Sequence, residues 1–369
     1  MVGSRWSIAF ILLSMLSHAE NIDALIERIA LCQSRGDAFF PDGIFPSYRH
    51  NKYLFYRRPD TNIFYTATIV FILNQVKEQV SVKSQQIIDK ITAKAIKNYP
   101  DFQNKDGLKT YNFWKTKPSK HFPNGRIFQH LDHFRIPDDI DDTALIYLTL
   151  PHSREDILWL KEKVKLHCSP LGVRDGGVYS TWFGKNMSIE HDVCALCNLM
   201  YLFEKYQLPH NEYDEAVFTF LREVILEEKY ITNAFEVAHN YATTPLVIYH
   251  YARLLGGFEI PQIEVCREKL IHKVKQLLEN EANTMNRVIL ETSLMKLDKN
   301  EIPITTQHLE LRAARRTVQN SFTYFIAGLL SSYRNPILYF FAPFKITQME
   351  WECEAHELAL LVERTSYSL

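Results

Sequence analysis

The sequence predicts an all-α chain folded as a single α/α toroid of about six helical hairpins, with an inner ring of buried helices inside an outer ring. Three observations predict it. Apolar runs of helical length alternate with amphipathic ones; a helix apolar on every face is buried, whereas an amphipathic one lies half exposed. The same grammar also recurs three times: a polar helix, an Asp-Gly turn with aromatics, then an acidic opening to an apolar helix. The turns, Asp42-Gly43, Asp106-Gly107 and Asp175-Gly176, lie about 64 and 69 residues apart, long for a solenoid repeat but right for hairpins with long loops. Finally, no series of strands competes with this pattern.

Taken in order, the chain opens with Arg5, the apolar run WSIAFILLSML at 6–16 and the small-x-small site Ser17-His18-Ala19. That is the pattern of a secretory signal peptide over 1–19, with a first core helix as the alternative. The expectation is therefore an exported protein, periplasmic or secreted, with the toroid domain over 20–369. Asn21 to Arg35 reads as an outer helix, 37–62 as a loop rich in Pro and aromatics, and Ile63 to Val76 as an inner helix. Ser84 to Asn98 is outer, 104–114 a loop, and Asp138 to Leu150 inner. Arg154 to Leu166 is outer, 173–184 a turn, and 188–203 inner. Weaker pairs follow: Glu215 to Glu228 with Thr243 to Leu255, then Gln262 to Asn280 with Met285 to Met295. Residues 301–320 read as either strand or helix, and Ser321 to Tyr333 with Gln348 to Glu363 as the closing helical pair.

Composition narrows the function. Net charge is −1 with no long basic run, which argues against nucleic acid as a partner. No stretch reaches the roughly 18 apolar residues of a membrane span. The six cysteines, Cys32, Cys168, Cys194, Cys197, Cys266 and Cys353, are scattered through a chain long enough to bury a large core. They do not form a disulfide framework, though an exported protein can still form one or two bridges.

The stretch DDIDDTALIYLTL, 138–150, carries the strongest chemical signal. Asp138, Asp139, Asp141 and Asp142 follow Pro137 and precede an apolar run, which marks a helix N-terminus. A cap needs one carboxylate, and negative charge there also suits the helix dipole; capping alone is the competing reading. In a toroid the loops at one end converge on a cavity. Asp60, Asp139, Asp141, Glu190, His191, Asp192 and His239 would then share it.

The motif DIDDTA, 139–144, resembles the DxDD motif of class II terpene cyclases, including the Thr-Ala that follows it in the diterpene members. RDGGVYSTW, 174–182, is similar to the aromatic Gly-rich turns of the terpenoid cyclase and protein prenyltransferase superfamily, whose fold is an α/α toroid. The resemblance spans most of the chain in pattern and a short part of it in motif. It implies that Asp141 is a general acid that protonates an isoprenoid or lipid-like substrate, with Asp139 and Asp142 tuning it. Such an acid must stay protonated; burial and neighbouring carboxylates raise its pKa, while the helix terminus opposes them. A carbocation also needs a dry wall of π faces. Asp60, Tyr65, Trp114, Tyr179, Trp182, His191, Asp192 and His239 are the expected substrate-binding residues. No cofactor is required for the proton transfer; Mg²⁺ would help bind a diphosphate substrate. With export, a neutral polyprenoid met at a membrane surface fits better.

Asp192-Val193-Cys194 resembles the Asp-x-Cys zinc pair of the prenyltransferases, which His239 or His250 would complete. Residues two apart on a helix do not face each other, however, so Cys194 and Cys197 read as core thiols and no metal ligand is assigned. Two further functions remain open. An exported glycan-active toroid would set an acid and a base about 6.5–9.5 Å apart, from Asp60 and Asp141 or from Asp141 and Asp192, with aromatics stacking sugars. A non-catalytic binding toroid is the other, because fold does not dictate function.

Overall fold

The computed structural model describes residues 22–118, 122–124, 136–173, 175–184, 187–299, 322–328 and 336–367. The expected leader at 1–19 and the ambiguous 301–320 lie outside them, as does Arg174.

The chain is mainly helical. Helix α1 covers 22–32, α2 Phe64–Val76, α3 Val82–Ile96, α4 Ile140–Thr149, α5 Arg154–Lys165, α6 Val193–Lys205 and α7 Glu212–Leu226. Two single turns, α8 at Lys229–Thr232 and α9 at Ala234–Val237, lead to α10 Thr244–Gly257, α11 Cys266–Asn280 and α12 Thr284–Leu297. The C-terminal helix is Glu354–Ser366.

Burial divides these helices into the two expected classes. Every residue of α4 is buried, and α6 is buried without a break from Val193 to Phe203. By contrast α3 buries only Ser84, Ile88, Ile91 and Ala95, and α5 only Ile157, Leu160, Lys161 and Val164, the single stripe of an amphipathic helix. Following the contacts, α2 packs on α4, α4 on α6, α6 on α10, α10 on α12, α12 on the C-terminal helix, and that helix back on α2. The six buried helices thus neighbour one another in a closed cycle. The amphipathic helices lie against it, α3 on α2 and α11 on α12. Polar caps set several starts: Ser153 with Asp156 and Asn211 with Asp214 form capping boxes, each worth about 1 kcal/mol. The first Asp-Gly turn needs its glycine. Gly43 sits at φ +92°, and a Cβ there would lie 2.4 Å from the Lys94 carbonyl oxygen at the end of α3.

The all-α expectation is corrected by a small antiparallel sheet. Its strands are β1 Tyr48–Asn51, β2 Tyr56–Pro59, β3 Phe325–Gly328 and β4 Gln348–Glu352, in the order β2-β1-β4-β3. The expected closing helical pair changes accordingly: Phe325–Gly328 is a strand, and the last helix begins at Glu354 instead of Gln348. In β4, Met349 and Trp351 are buried while Glu350 and Glu352 are partly exposed, the period-two pattern of a strand with one covered face.

Asp60 ties this sheet to the helices. Fully buried just after β2, it pairs with Arg49 of β1. It also accepts Trp351 Nε1 of β4 at 2.9 Å, Trp114 Nε1 at 3.1 Å and Asn62 Nδ2 at 3.0 Å. A buried ion pair is best held when further hydrogen bonds satisfy both partners; Asp60 has them, whereas Arg49 donates Nε to the Tyr56 hydroxyl at 3.0 Å and leaves Nη2 buried without a partner.

Candidate active site

Two aromatic loops stitch the mouth of α4 in place. The Asp139 amide donates to the Tyr111 carbonyl at 3.1 Å, the Ile140 amide to the Thr181 carbonyl at 2.9 Å, and the Tyr111 amide to Thr143 Oγ1 at 3.0 Å. The four aspartates then divide their roles. Asp138 accepts Asn104 Nδ2 at 2.5 Å and Thr110 Oγ1 at 2.6 Å, so it fastens the 104–110 loop. Asp139 is the cap, accepting the Asp142 amide at 2.7 Å. Asp141 and Asp142 are surplus to capping.

Asp141 is held from two other buried helices' neighbourhoods. Its Oδ1 accepts Asn198 Nδ2 of α6 at 2.6 Å, and its Oδ2 accepts the Tyr241 hydroxyl just before α10. Asn198 is itself oriented, because its Oδ1 accepts Nη2 of the buried Arg253 of α10. That guanidinium lies over the rings of Phe71 and Tyr249, 5.2 and 5.4 Å from their centroids. Asp192 caps α6 by accepting the Cys194 amide at 2.9 Å, and its other oxygen accepts the Asn240 amide at 3.0 Å.

The electrostatics follow from burial. Asp139, Asp141, Asp142 and Asp192 expose 5%, 7%, 2% and 1% of their surface. Burial and then the charge of Asp141 push Asp139 up to about 8, against the pull of the Asp142 amide. Asp142 is pushed well above the usual carboxylate range by burial, by the charges of Asp139 and Asp141, and by its contact with Asp139. Its Oδ1 is buried with no hydrogen-bond partner. Burial also raises Asp192 to about 7, and raises Asp141 against the opposing effects of Tyr241, Asn198 and Arg253. Burial thus favours the protonated forms throughout the cluster.

A π-rich wall adjoins Asp141. The Tyr241 ring lies 5.6 Å from Tyr324, 5.9 Å from Phe325 and 6.1 Å from Phe64. Phe325 of β3 continues the wall, 4.9 Å from Phe64, stacked on Phe113 at 5.1 Å, and 5.5 Å from Trp351.

The structure groups Asp139, Asp141, Asp142 and Asp192, and it bridges the Trp182 backbone to Asp139. The Trp182 indole donates to Glu190 Oε2 at 2.6 Å. Asp60, Trp114 and Tyr65 form a second cluster around β4, with the Tyr65 hydroxyl on the Trp351 carbonyl at 3.0 Å. Tyr179 is fully buried away from the clustered aspartates: its hydroxyl donates at 2.9 Å to Asp214 of α7, which also pairs with Lys161 of α5. His191 meets Ser169 Oγ at 3.2 Å, and His239 Nδ1 meets the Phe235 carbonyl at 2.7 Å. Burial lowers His239 to about 4. Sequence reasoning missed Tyr241, Asn198, Arg253 and Arg49. Asn198 and Arg253 carried a signal, being polar side chains inside apolar helices.

Cys194 and Cys197 are free, buried thiols. The Asp192 carboxylate is spent on backbone amides. Among the described residues no three His, Cys, Asp or Glu side chains converge to hold a metal ion. None of the described helices is long and apolar enough to cross a membrane. Comparisons with protein-family models, curated proteins and solved structures give no match to this chain.

Proposed function

We propose that this chain is a terpene cyclase-like enzyme that starts a carbocation cyclisation by protonating an isoprenoid, on a helical toroid whose inner ring is the closed cycle of six buried helices. The observation that carries this reading is the setting of Asp141. It is a buried carboxyl held by Tyr241 and Asn198, beside an aromatic wall, within a set of carboxyls whose protonated forms burial favours.

The chemistry follows from those contacts. Burial favours the protonated form of Asp141, against the opposing pull of Tyr241, Asn198 and Arg253. Its proton passes to the less substituted carbon of an alkene, the π electrons forming the new C–H bond. Positive charge is left on the more substituted carbon, where the next double bond attacks to close a ring; the last cation loses a proton to water to leave a neutral alkene, and Asp141 regains a proton from solvent. The resulting Asp141 carboxylate is held by the Tyr241 hydroxyl and the Asn198 amide, with Arg253 behind. Donors that favour the charged form make Asp141 the stronger acid, while burial raises its pKa against them. The rings of Phe64, Phe113, Tyr241 and Phe325 pack on one another beside Asp141; in this reading they part to present π faces to the bound cation. The proton transfer needs no cofactor; Mg²⁺ enters only with a diphosphate substrate.

The glycan-active alternative has less support. Of its two acid–base pairs, Asp60 is committed to Arg49 and two indoles. The test compares wild-type and Asp141→Asn protein against a panel of isoprenoids and, separately, oligosaccharides. A cyclised product lost in the variant supports the reading; sugar cleavage, or no turnover of any isoprenoid, overturns it.

A further inference from the structure

The four-stranded sheet has two unlike ends. One, at Pro59 and Glu352, leads to the buried Asp60 and Trp351. The other carries bare apolar side chains. At the tip of the β1–β2 hairpin Leu54 is 49% and Phe55 98% exposed. Because β1 and β4 are antiparallel, with His50 opposite Glu350, the segment leading into β4 runs beside that tip. There Ile337, Phe340, Phe344 and Ile346 are 72%, 68%, 49% and 52% exposed. Asn51 fastens the two segments together, its Nδ2 donating to the Ile346 carbonyl at 2.9 Å and the Gln348 carbonyl at 2.8 Å.

Two features show that this is more than scattered surface apolarity. Phe55 adopts φ +49°, ψ +39°, a left-handed conformation that is costly for a bulky residue, and its ring gains no burial in return. The charge is also one-sided. Segments 52–58 and 336–346 carry Lys52, Arg57, Arg58 and Lys345 and no acidic residue. Glu352 and Glu350 of β4 pair with Arg57 and Lys345, which leaves the rim net basic.

We propose that this end of the sheet docks on the surface of an anionic lipid bilayer. Phe55, Phe340 and Phe344 enter the boundary between headgroups and acyl chains, and Lys52 and Lys345 meet lipid phosphates. A bilayer offers a continuous apolar layer beneath negative charge, which matches aromatics ringed by cations. A second copy of the chain would instead set like charges against each other. The docking stands whatever reaction the chain catalyses; for a lipid-like substrate it places the sheet, and the aromatic wall behind it, at the membrane.

The test is flotation of the full chain with phosphatidylcholine vesicles, with and without phosphatidylglycerol. Wild-type protein should float with the anionic vesicles, less so as salt is added. The Phe55→Ser/Phe340→Ser/Phe344→Ser variant should lose at least tenfold in bound fraction while melting like the wild type. Lys52→Glu/Lys345→Glu should remove the preference for anionic lipid. The proposal is overturned if the wild type stays unbound or the triple variant floats equally well. It is also overturned if light scattering shows a wild-type dimer that the triple variant abolishes, because the face would then belong to a second copy.

Discussion

The Tyr241 hydroxyl donates to Asp141 across a separation of 100 residues. Asn198, from another buried helix, donates to the second oxygen of the same carboxyl. The position and acidity of Asp141 therefore depend on how α4, α6 and the start of α10 pack together.

Removing one donor should shift the pH profile. Asn198 and Tyr241 hold Asp141 down against burial. Asn198→Ala should raise the Asp141 pKa, so the pH above which activity falls moves upward. The lost support for the carboxylate should also lower the maximal rate by roughly ten- to a hundredfold. A pH–rate profile of product formation checks this; a falling limb displaced to lower pH contradicts it.

Stability should decline on the alkaline side of neutrality. In the unfolded chain carboxyls ionise near pH 4, whereas in the fold Asp139 holds its proton to about 8 and Asp192 to about 7. Stability from such groups is full below the unfolded pKa and is lost as pH rises through the folded one. The buried His239 and His356, lowered to about 4 and about 3, act oppositely, but only up to the ordinary histidine range. From about pH 7 to 8.5 the carboxyls dominate, with a slope of at most about 1.4 kcal/mol per pH unit for each group. Denaturant midpoints should fall over that window. Asp139→Asn keeps a good cap and should flatten the fall.

The link between the sheet and the helices should be costly to break on one side only. Arg49→Ala leaves Asp60 buried beside two indoles without its counter-charge, and should destabilise by about 3–5 kcal/mol. Chemical denaturation measures it; a loss under about 1 kcal/mol would mean the pair is not buried in solution.

Two glycines offer a matched comparison. Gly43 and Gly107 both have positive φ, +92° and +87°, but an added Cβ meets the Lys94 carbonyl at 2.4 Å at Gly43 and nothing within 4 Å at Gly107. Gly107→Ala should cost about 1 kcal/mol of backbone strain. Gly43→Ala should cost at least about 2 kcal/mol more, because the end of α3 must shift.

The helices were legible because their burial is periodic and local. The alternation of all-apolar and striped segments anticipates α2 to α7 and α10 to α12 to within a few residues. The sheet was not legible. Its strands are four or five residues long, and the Tyr48–Glu352 pairing joins segments some three hundred residues apart, which no local pattern encodes. Of the site, the aspartates stood out by their number. Tyr241 did not, because one tyrosine before an apolar helix looks like ordinary packing. Asp60 and Asp141 both lie at mouths of buried helices, yet only the structure separates an aspartate closed by Arg49 from one held by neutral donors.

The central claim is that the reaction begins with a proton from Asp141. It is tested most directly by running the isoprenoid turnover in D₂O and weighing the product. An Asp141 carboxyl equilibrated with solvent should deliver one deuteron to carbon for each cyclisation, giving a product one mass unit heavier. The Asp141→Asn protein should form none of it. A cyclic product carrying no solvent deuterium, or an Asp141→Asn variant as active as the wild type, would contradict the account.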